Sequence, residues 1–504
     1  MTPPRVETAA GWIEGDRVAG PDGTPVDRFL GVPYAAPPVG DRRWRSPVPA
    51  DPWPGIRPTR AFGPAAPQTA PAPSRLPAFH VADQDEDCLT VNVWTPASAP
   101  TPSGRRPVLV WLPGGAYLSG GPAMGVFDGT RLAAEHDVVV VTVGSRLGAL
   151  GYLQVDPTED GVGDCGLRDQ AAALAWVGAH AAAFGGDPAR VTVSGESAGG
   201  GSVLHLAALR DRPPFRRAIV QSGEPRTLAP GLARRVRDAF LGALDLDPAA
   251  PDVLAAARTR PVAAVLAAQD VVVATLAGPT GLMPFRPTFT HDLVDLDPIA
   301  AFAADRARGV DLVIGTCRDE LSLWPDPRAR DLDDAGLRVL LDRLAGGRVD
   351  PDRILAAYRA ERPDRSAAAV WSAARTDAVL RVPALRVADA HVAAGNRAFV
   401  HRFDWEAPGI GAAHAVDVPF TFGTFDRDGW GAAVGADRRP VEAERLGRAL
   451  RGAWCALAAT GTPEHPGLPE WPAYDPDRRA TLCFDATSRV VDDPAGAERA
   501  VWTD

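Results

Sequence analysis

The clearest chemical signal in this chain is a serine at the centre of a G-x-S-x-G pentapeptide. Ser197 stands between Gly195 and Gly199, after a predicted strand at 190–194 and before a predicted helix. A sharp strand-to-helix turn needs small residues two positions before and after the serine, and it exposes the hydroxyl. The turn also aims the N–H of Ala198 toward a developing oxyanion. An ordinary glycine-rich turn would explain the pentapeptide alone, but the flanking strand and helix favour a nucleophile.

A serine nucleophile needs other groups around it. Its hydroxyl is weakly reactive at neutral pH and requires a base within hydrogen-bond reach. The base requires an acid that holds its tautomer, and the oxyanion requires N–H donors preset about 3 Å away. The chain has nine histidines and 63 acidic residues, so composition alone does not select these partners.

The elements around Ser197 predict how such groups are brought together. Several apolar runs, such as 138–143, are apolar or β-branched throughout, which is typical of strands buried on both faces of a sheet. Helical patterns at 166–184 and 198–209 alternate with these runs. This order predicts the α/β class, with a mostly parallel sheet covered by helices. The predicted strands are 89–94, 107–112, 138–143, 190–194, 217–221, 311–315 and 397–403.

Two Ala- and Leu-rich segments, 228–277 and 332–362, predict helical insertions that could roof a pocket, and 441–460 predicts a further helix. A length of 504 residues would allow about three domains. No internal repeat or low-complexity tail divides the chain. We therefore expect a single domain over 1–504 with helical insertions.

Charge and cysteine content exclude several classes of function. The formal net charge is −10 and every basic residue other than histidine is arginine, which argues against a nucleic-acid partner. No apolar run is long enough for a membrane helix, and no signal peptide is visible at the amino terminus. Five scattered cysteines form no metal-binding pattern, and we expect free thiols in a reducing cytoplasm. The sequence thus predicts a cytoplasmic protein without a metal.

Several blocks, in the right order along nearly the whole chain, resemble the type B carboxylesterase family, which includes cholinesterases and bacterial para-nitrobenzyl esterases. This resemblance implies an α/β-hydrolase fold and a serine esterase without a cofactor. The blocks lie at 29–35 (FLGVPYA), 86–93 (EDCLTVNV), 166–170 (GLRDQ), 184–188 (FGGDP) and 218–223 (AIVQSG).

The resemblance also implies the partners of Ser197. His414 lies in a segment, 411–420, that resembles the family's Gly-Ala-x-His-x-x-Glu loop and gives it the role of base. Glu320 ends a block that resembles the family's acid-bearing strand end, and its neighbour Asp319 is the rival acid. The order Ser, acid, His is that of α/β-hydrolases. We interpret three other histidines as structural: His205, His391 and His401.

Pro113-Gly114-Gly115-Ala116-Tyr117 follows a predicted strand and resembles the family's oxyanion loop. The resemblance assigns N–H donors to Gly115 and Ala116, alongside Ala198, although a plain glycine turn is the alternative. Pro113 replaces the His or Tyr that usually precedes the glycines. Because Pro113 is not one of the predicted donors, its missing N–H leaves the predicted hole intact.

Two further polar residues are left with two interpretations each. Ser222 matches a family serine that supports the histidine and its acid, but a turn at a strand end explains it equally well. Glu196 could tune the charge around the nucleophile, or it could be an exposed carboxylate.

The resemblance places Met283 and Phe285 in the acyl pocket, with Tyr117 after the oxyanion loop, although core packing explains each equally well. These apolar residues predict esters with neutral, short to medium acyl groups, and aryl or benzyl alcohols. Carbamate or amide cleavage by the same residues is one alternative, and a non-catalytic scaffold on this fold is another. We expect a small-molecule ester as the partner. The sequence does not define the oligomeric state, for which a monomer is plausible.

Overall fold

The computed structural model of the chain describes residues 2–70, 75–77, 81, 83–98, 104–155, 162–276, 283–290 and 292–503. In these residues, eleven strands form one large sheet and three short strands form a second, smaller sheet. The strands are β1 (Arg5–Thr8), β2 (Gly11–Glu14), β3 (Asp16–Ala19), β4 (Pro25–Pro33), β5 (Ile56–Pro58), β6 (Thr90–Pro96), β7 (Arg106–Leu112), β8 (Val139–Val143), β9 (Gly186–Glu196), β10 (Arg217–Gln221), β11 (Asp311–Cys317), β12 (Ala398–Phe403), β13 (Ala480–Phe484) and β14 (Arg489–Asp492).

Helices connect and cover the strands. They are α1 (Thr130–His136), α2 (Gly148–Tyr152), α3 (Cys165–His180), α4 (Ala198–Ala208), α5 (Pro230–Ala243), α6 (Val253–Arg258), α7 (Val262–Leu276), α8 (Pro298–Ala303), α9 (Asp334–Ala345), α10 (Pro351–Glu361), α11 (Ala367–Thr376), α12 (Val382–Ala393), α13 (Val418–Phe422), α14 (Trp430–Val434), α15 (Pro440–Thr460) and α16 (Gly496–Ala500). One π-helical turn, Asp377–Arg381, joins α11 to α12.

The large sheet has the strand order β14-β13-β12-β11-β10-β9-β7-β8-β6-β4-β3. Strands β8 to β13 in this order pair in parallel, and antiparallel strands lie at both edges. This arrangement confirms the predicted, mostly parallel sheet. All the parallel strands therefore end on the same side of the sheet. On this side β9, β10 and β11 lead into the loops that carry the candidate site.

The central strands are largely apolar because both faces of the sheet are covered. In β7, Val108 and Val110 pack into the core on one face, whereas Leu109 and Trp111 pack into the core on the other. Every residue of β8 is buried in the same way. Burial on both sides removes the polar alternation that a half-exposed strand shows.

The two predicted helical insertions are helical in the structure. The segment 228–277 contains α5, α6 and α7, and its last residue lies outside the described residues. The segment 332–362 contains α9 and α10, which share a small apolar core with α11. Helix α7 contributes residues to the wall of the cavity described below.

Candidate active site

Ser197 occupies a strained turn between β9 and α4. Its backbone has φ 56° and ψ −121°, a region that residues other than glycine rarely adopt. The turn is held by the Ser197 N–H, which donates to the Gln221 carbonyl at 2.9 Å. A Cβ at Gly195 would lie 2.5 Å from the Gly199 carbonyl carbon, and one at Gly199 would overlap the Leu112 carbonyl oxygen. The close approach of these backbones explains why both flanking positions are glycine.

His414 and Glu320 meet from loops at the ends of different strands. Nδ1 of His414 and Oε2 of Glu320 lie 2.5 Å apart. The backbone N–H of His414 also donates to the backbone carbonyl of Glu320 at 3.2 Å. Glu320 is completely buried, so its carboxylate is shielded from water. A buried carboxylate on Nδ1 fixes the imidazole orientation and leaves Nε2 as the nitrogen that can take a proton.

The second carboxylate oxygen of Glu320 also accepts hydrogen bonds. Its Oε1 accepts from the Ser222 hydroxyl at 2.6 Å and from the Cys317 N–H at 2.7 Å. Of the two interpretations for Ser222, the structure therefore places this serine on the acid and not in an isolated turn. The rival acid, Asp319, turns away and accepts from Arg318 at 2.8 Å and from the Ala412 N–H at 3.1 Å. Asp319 thus anchors the histidine loop.

Glu196 is buried beside the imidazole. Its Oε1 lies 3.1 Å from Nε2 of His414, although the two atoms are not aligned for a hydrogen bond. Burial raises the pKa of Glu196 to about 8, against the opposing effect of the His414 charge. Burial alone would lower the pKa of His414, but the carboxylates of Glu196 and Glu320 raise it to about 9. The interpretation of Glu196 as an exposed carboxylate is therefore wrong.

Ser197 and His414 both line one cavity. Among the described residues, no hydrogen bond joins the Ser197 hydroxyl to the imidazole, whose Nε2 faces Glu196. Such a hydrogen bond has to form before a proton can pass between the two side chains. Catalytic hydrogen bonds are often loose until substrate is bound.

Asp417 is a member of this buried cluster that sequence reasoning did not single out. It accepts a hydrogen bond from Nε2 of Gln221 at 2.6 Å, and burial raises its pKa to about 6. A signal was present, because Asp417 stands where the resembling motif has Glu after the histidine. The charge of His414 partly opposes this rise in the pKa of Asp417.

The predicted oxyanion loop packs directly against the nucleophile. A Cβ at Gly114 would lie 2.6 Å from Glu196 Oε2 and 3.2 Å from Ser197 Cβ. Gly115 and Ala116 both have positive φ, 126° and 56°, in a tight turn. Within the described residues, the backbone N–H groups of Gly115, Ala116 and Ala198 donate none of the hydrogen bonds that join backbone groups in turns, loops and helix caps. All three residues line the cavity that Ser197 and His414 face.

This cavity has a volume of about 670 Å³, enough for an ester of drug-like size. Of the three residues predicted for the pocket, Tyr117 and Met283 line it. Phe285 is completely buried in the hydrophobic core and is not among the residues that line the cavity, which favours the core-packing interpretation of this residue. Leu321, Leu323 and Trp324 also line the wall, and the ring of Trp324 lies 5.1 Å from that of His414.

Two of the histidines interpreted as structural have local hydrogen-bond partners. His205 contacts the Gly201 carbonyl and the Thr227 hydroxyl, and His391 contacts the Val310 carbonyl. All five cysteines are buried and unpaired. Within the described residues, no group of three metal-binding side chains occurs, and none of the helices has the length and apolarity needed to cross a membrane.

Comparisons with known proteins agree with the geometry. The sequence profile of the carboxylesterase family matches residues 2–502. The chain is 34% identical to the para-nitrobenzyl esterase of Bacillus subtilis, over 99% of this chain and 98% of the relative. It is also 34% identical to the phenmedipham hydrolase of Pseudarthrobacter oxydans, over 90% of each chain.

Solved structures of the same family superpose closely. A para-nitrobenzyl esterase matches with a TM-score of 0.87 and 31% identity over 99% of both chains. A carboxylesterase of Geobacillus stearothermophilus matches with a TM-score of 0.86 and 35% identity, again over 99% of both. These likenesses confirm the predicted α/β-hydrolase fold. The chain belongs to the carboxylesterase family, whose members are carboxylic ester hydrolases, as the sequence motifs predicted.

Proposed function

We propose that this enzyme hydrolyses carboxylic esters through an acyl-enzyme on Ser197, with His414 as the base and Glu320 as the acid that positions it. The observation that carries the proposal is the 2.5 Å contact between His414 Nδ1 and the buried Glu320 carboxylate, in a cavity that Ser197 also lines. With a proton on Nδ1, the imidazole presents Nε2 as an acceptor.

In the acylation step, Nε2 of His414 takes the proton of the Ser197 hydroxyl while Oγ attacks the ester carbonyl carbon. The carbonyl oxygen becomes an oxyanion, which accepts hydrogen bonds from the N–H groups of Gly115, Ala116 and Ala198. Each such donor is worth on the order of 10²–10³ in rate. The tetrahedral intermediate collapses, the C–O bond to the alcohol breaks, and His414 returns its proton to the departing alcohol.

Deacylation repeats the sequence with water as the nucleophile. His414 takes a proton from water, hydroxide attacks the acyl carbon, and the oxyanion forms in the same hole. Collapse then releases the carboxylic acid, and Ser197 recovers its proton. In each half-reaction His414 returns the proton that it takes up, so the protons balance without another acid or base.

The buried carboxylates favour the imidazolium that forms in each step. Glu196 lies beside Nε2 and Glu320 beside Nδ1, so both sides of the ring face a carboxylate. Two carboxylates make His414 a stronger base than an ordinary histidine, but they also keep more of it protonated at neutral pH. The pH dependence of activity is therefore a direct test of this arrangement.

Labelling with a fluorophosphonate tests the proposal, because the reagent phosphonylates an activated serine. We expect the label on the tryptic peptide that contains Ser197, and we expect Ser197→Ala to abolish labelling and lower turnover of p-nitrophenyl butyrate to the small residue that binding and the oxyanion hole supply. Ser202→Ala, in the same helix, is the control that should keep the label. Labelling of another serine would refute the assignment.

A substrate panel should include phenmedipham, because one relative is named for hydrolysing it. The cytoplasmic location stays a prediction, and the sequence leaves the oligomeric state undefined.

A further inference from the structure

One wall of the active-site cavity carries an arginine that the apolar pocket predicted from sequence does not explain. Arg226 follows the end of β10, lines the cavity, and has a side chain that is 46% exposed. Its Nε contacts Oε1 of Glu224, and Oε2 of Glu224 also contacts Nη1 of Arg286 at 3.1 Å. We call Glu224, Arg226 and Arg286 the Arg226 cluster.

The Arg226 cluster has an excess positive charge. One carboxylate serves two guanidinium groups, which leaves a net charge of about +1 by formal count. Arg286 is the buried member: its side chain is only 3% exposed, and its Nη2 has no hydrogen-bond partner among the described residues. Partial burial and the nearby charge of Arg286 lower the pKa of Arg226 to about 10, so it stays charged at neutral pH.

The position of the cluster relates it to the nucleophile. A Cβ at Gly201 would lie 2.5 Å from the Tyr117 hydroxyl and 3.0 Å from the Glu224 carbonyl oxygen. The chain at Glu224 therefore packs on the first turn of α4, four residues after Ser197, or about 6 Å along the helix axis. Ser197, Glu224 and Arg226 all line the same cavity, so a substrate bound at Ser197 shares that space with the cluster.

The other charged groups that face the cavity do not neutralise Arg226. Glu196 is held beside His414, and Asp270 accepts from the Thr69 hydroxyl at 3.0 Å. On another part of the wall, Arg375 donates to the Trp324 carbonyl and lies over the ring of Trp371. Arg226 thus presents a partly exposed guanidinium to the cavity, beside a carboxylate that it shares with Arg286.

Resting on the proposed esterase function, we propose that Arg226 selects esters that carry a carboxylate a few bonds from the scissile carbonyl. A carboxylate matches the planar donor pattern of a guanidinium, and a charge-assisted hydrogen bond inside a cavity is stronger than one in water. The carboxylate can belong to the acyl chain or to the alcohol, and these two sources are separated by experiment.

Two matched substrate pairs provide the test. p-Nitrophenyl hexanoate and mono-p-nitrophenyl adipate differ only in a terminal methyl or carboxylate on the acyl chain. Phenyl butyrate and para-carboxyphenyl butyrate place the carboxylate on the alcohol. For each pair, kcat/KM is measured for wild type, Arg226→Met and Arg226→Glu. Arg210→Met is the matched control, because Arg210 is largely exposed and pairs with Asp295 at 2.8 Å.

We expect the ratio of kcat/KM for the anionic over the neutral ester to fall about tenfold in Arg226→Met for one pair, which identifies the source of the carboxylate. Arg226→Glu should lower that ratio further and should favour p-nitrophenyl aminohexanoate, whose chain ends in an ammonium group. Arg210→Met should keep the wild-type ratios. Thermal melting of each variant separates loss of specificity from loss of folded protein.

An unchanged ratio in both pairs would overturn the role of Arg226 while leaving the esterase function intact. If wild-type enzyme turned over neither neutral ester, the proposed function itself would fail. These two failures are distinct, because the first appears only as a ratio and the second as absent activity.

Discussion

Oε1 of Glu196 lies 3.1 Å from Nε2 of His414, the nitrogen that takes the serine proton in the proposed reaction. This contact places a second carboxylate on the imidazole, opposite the one supplied by Glu320. It also occupies the side of the ring that the Ser197 hydroxyl must reach. Glu196 is therefore expected to control both the charge and the orientation of His414.

The first prediction concerns pH. Only neutral His414 can take a proton, so kcat/KM should rise with pH through the pKa of this group, which the carboxylates raise above the ordinary histidine value. Glu196→Gln removes one of these negative charges and should shift the midpoint to lower pH. The pH profile of kcat/KM with p-nitrophenyl butyrate measures the shift.

The exposed Glu470→Gln serves as the control for Glu196→Gln and should leave the profile unchanged. A midpoint that stays in place or moves upward in Glu196→Gln would show that this carboxylate does not stabilise the imidazolium.

The second prediction separates the two neighbouring acids. Glu320→Gln leaves the shape of the side chain but removes the charge on His414 Nδ1, and should lower kcat by up to about 10⁴. Asp319→Asn leaves that charge and weakens only the anchor of the histidine loop, so it should lower kcat less than about tenfold while lowering the thermal midpoint. Steady-state kinetics and thermal melting on both variants test this. An equal loss of kcat in both would contradict the assignment of roles.

The third prediction concerns Ser222, which donates to Glu320 at 2.6 Å. Ser222→Ala removes a hydrogen bond to a buried carboxylate, which is worth roughly 1.5–3 kcal/mol. Glu320 keeps its bond from Cys317, so we expect kcat to fall about tenfold and KM to change little. Ser222→Thr, which restores a hydroxyl, should recover part of the rate. A purely structural role would lower the thermal midpoint without changing kcat per folded molecule.

Local sequence patterns predicted the elements that carry the site. The nucleophile turn depends on residues within three positions of Ser197, and strands such as β8 and β10 have buried, mostly apolar centres with clear ends. These features were predicted from the residues themselves because their causes are local. The partners His414 and Glu320 came only from the resemblance, since nothing in their own neighbourhoods distinguishes them from other histidines and acids.

Features that depend on packing between distant segments were missed or left open. The direction of a side chain in an irregular loop decides whether it meets the cavity or the core, and Phe285 points into the core while Met283 reaches the cavity. The contact of Gln221 with Asp417 joins residues 196 positions apart, which no local pattern indicates. Helices α11 and α12 were not predicted, and a π-helical turn separates them.

The last prediction tests the close packing under the nucleophile turn. In Gly199→Ala the new methyl group would overlap the Leu112 carbonyl oxygen and lie 3.0 Å from that of Pro113, so β7 and α4 must separate. We expect a loss of roughly 1–3 kcal/mol in the free energy of unfolding. We also expect kcat/KM to fall about 10²-fold, because the Ala198 N–H and the oxyanion loop move apart.

Gly242→Ala in α5 is the matched control, because its new methyl group meets no atom within 4 Å. It should raise stability by about 0.5–1 kcal/mol, the usual gain for alanine over glycine in a helix, and leave kcat/KM unchanged. Denaturant unfolding and p-nitrophenyl butyrate kinetics compare the two variants. Wild-type activity in Gly199→Ala would mean that the turn tolerates a side chain there, and the steric argument for this glycine would then be wrong.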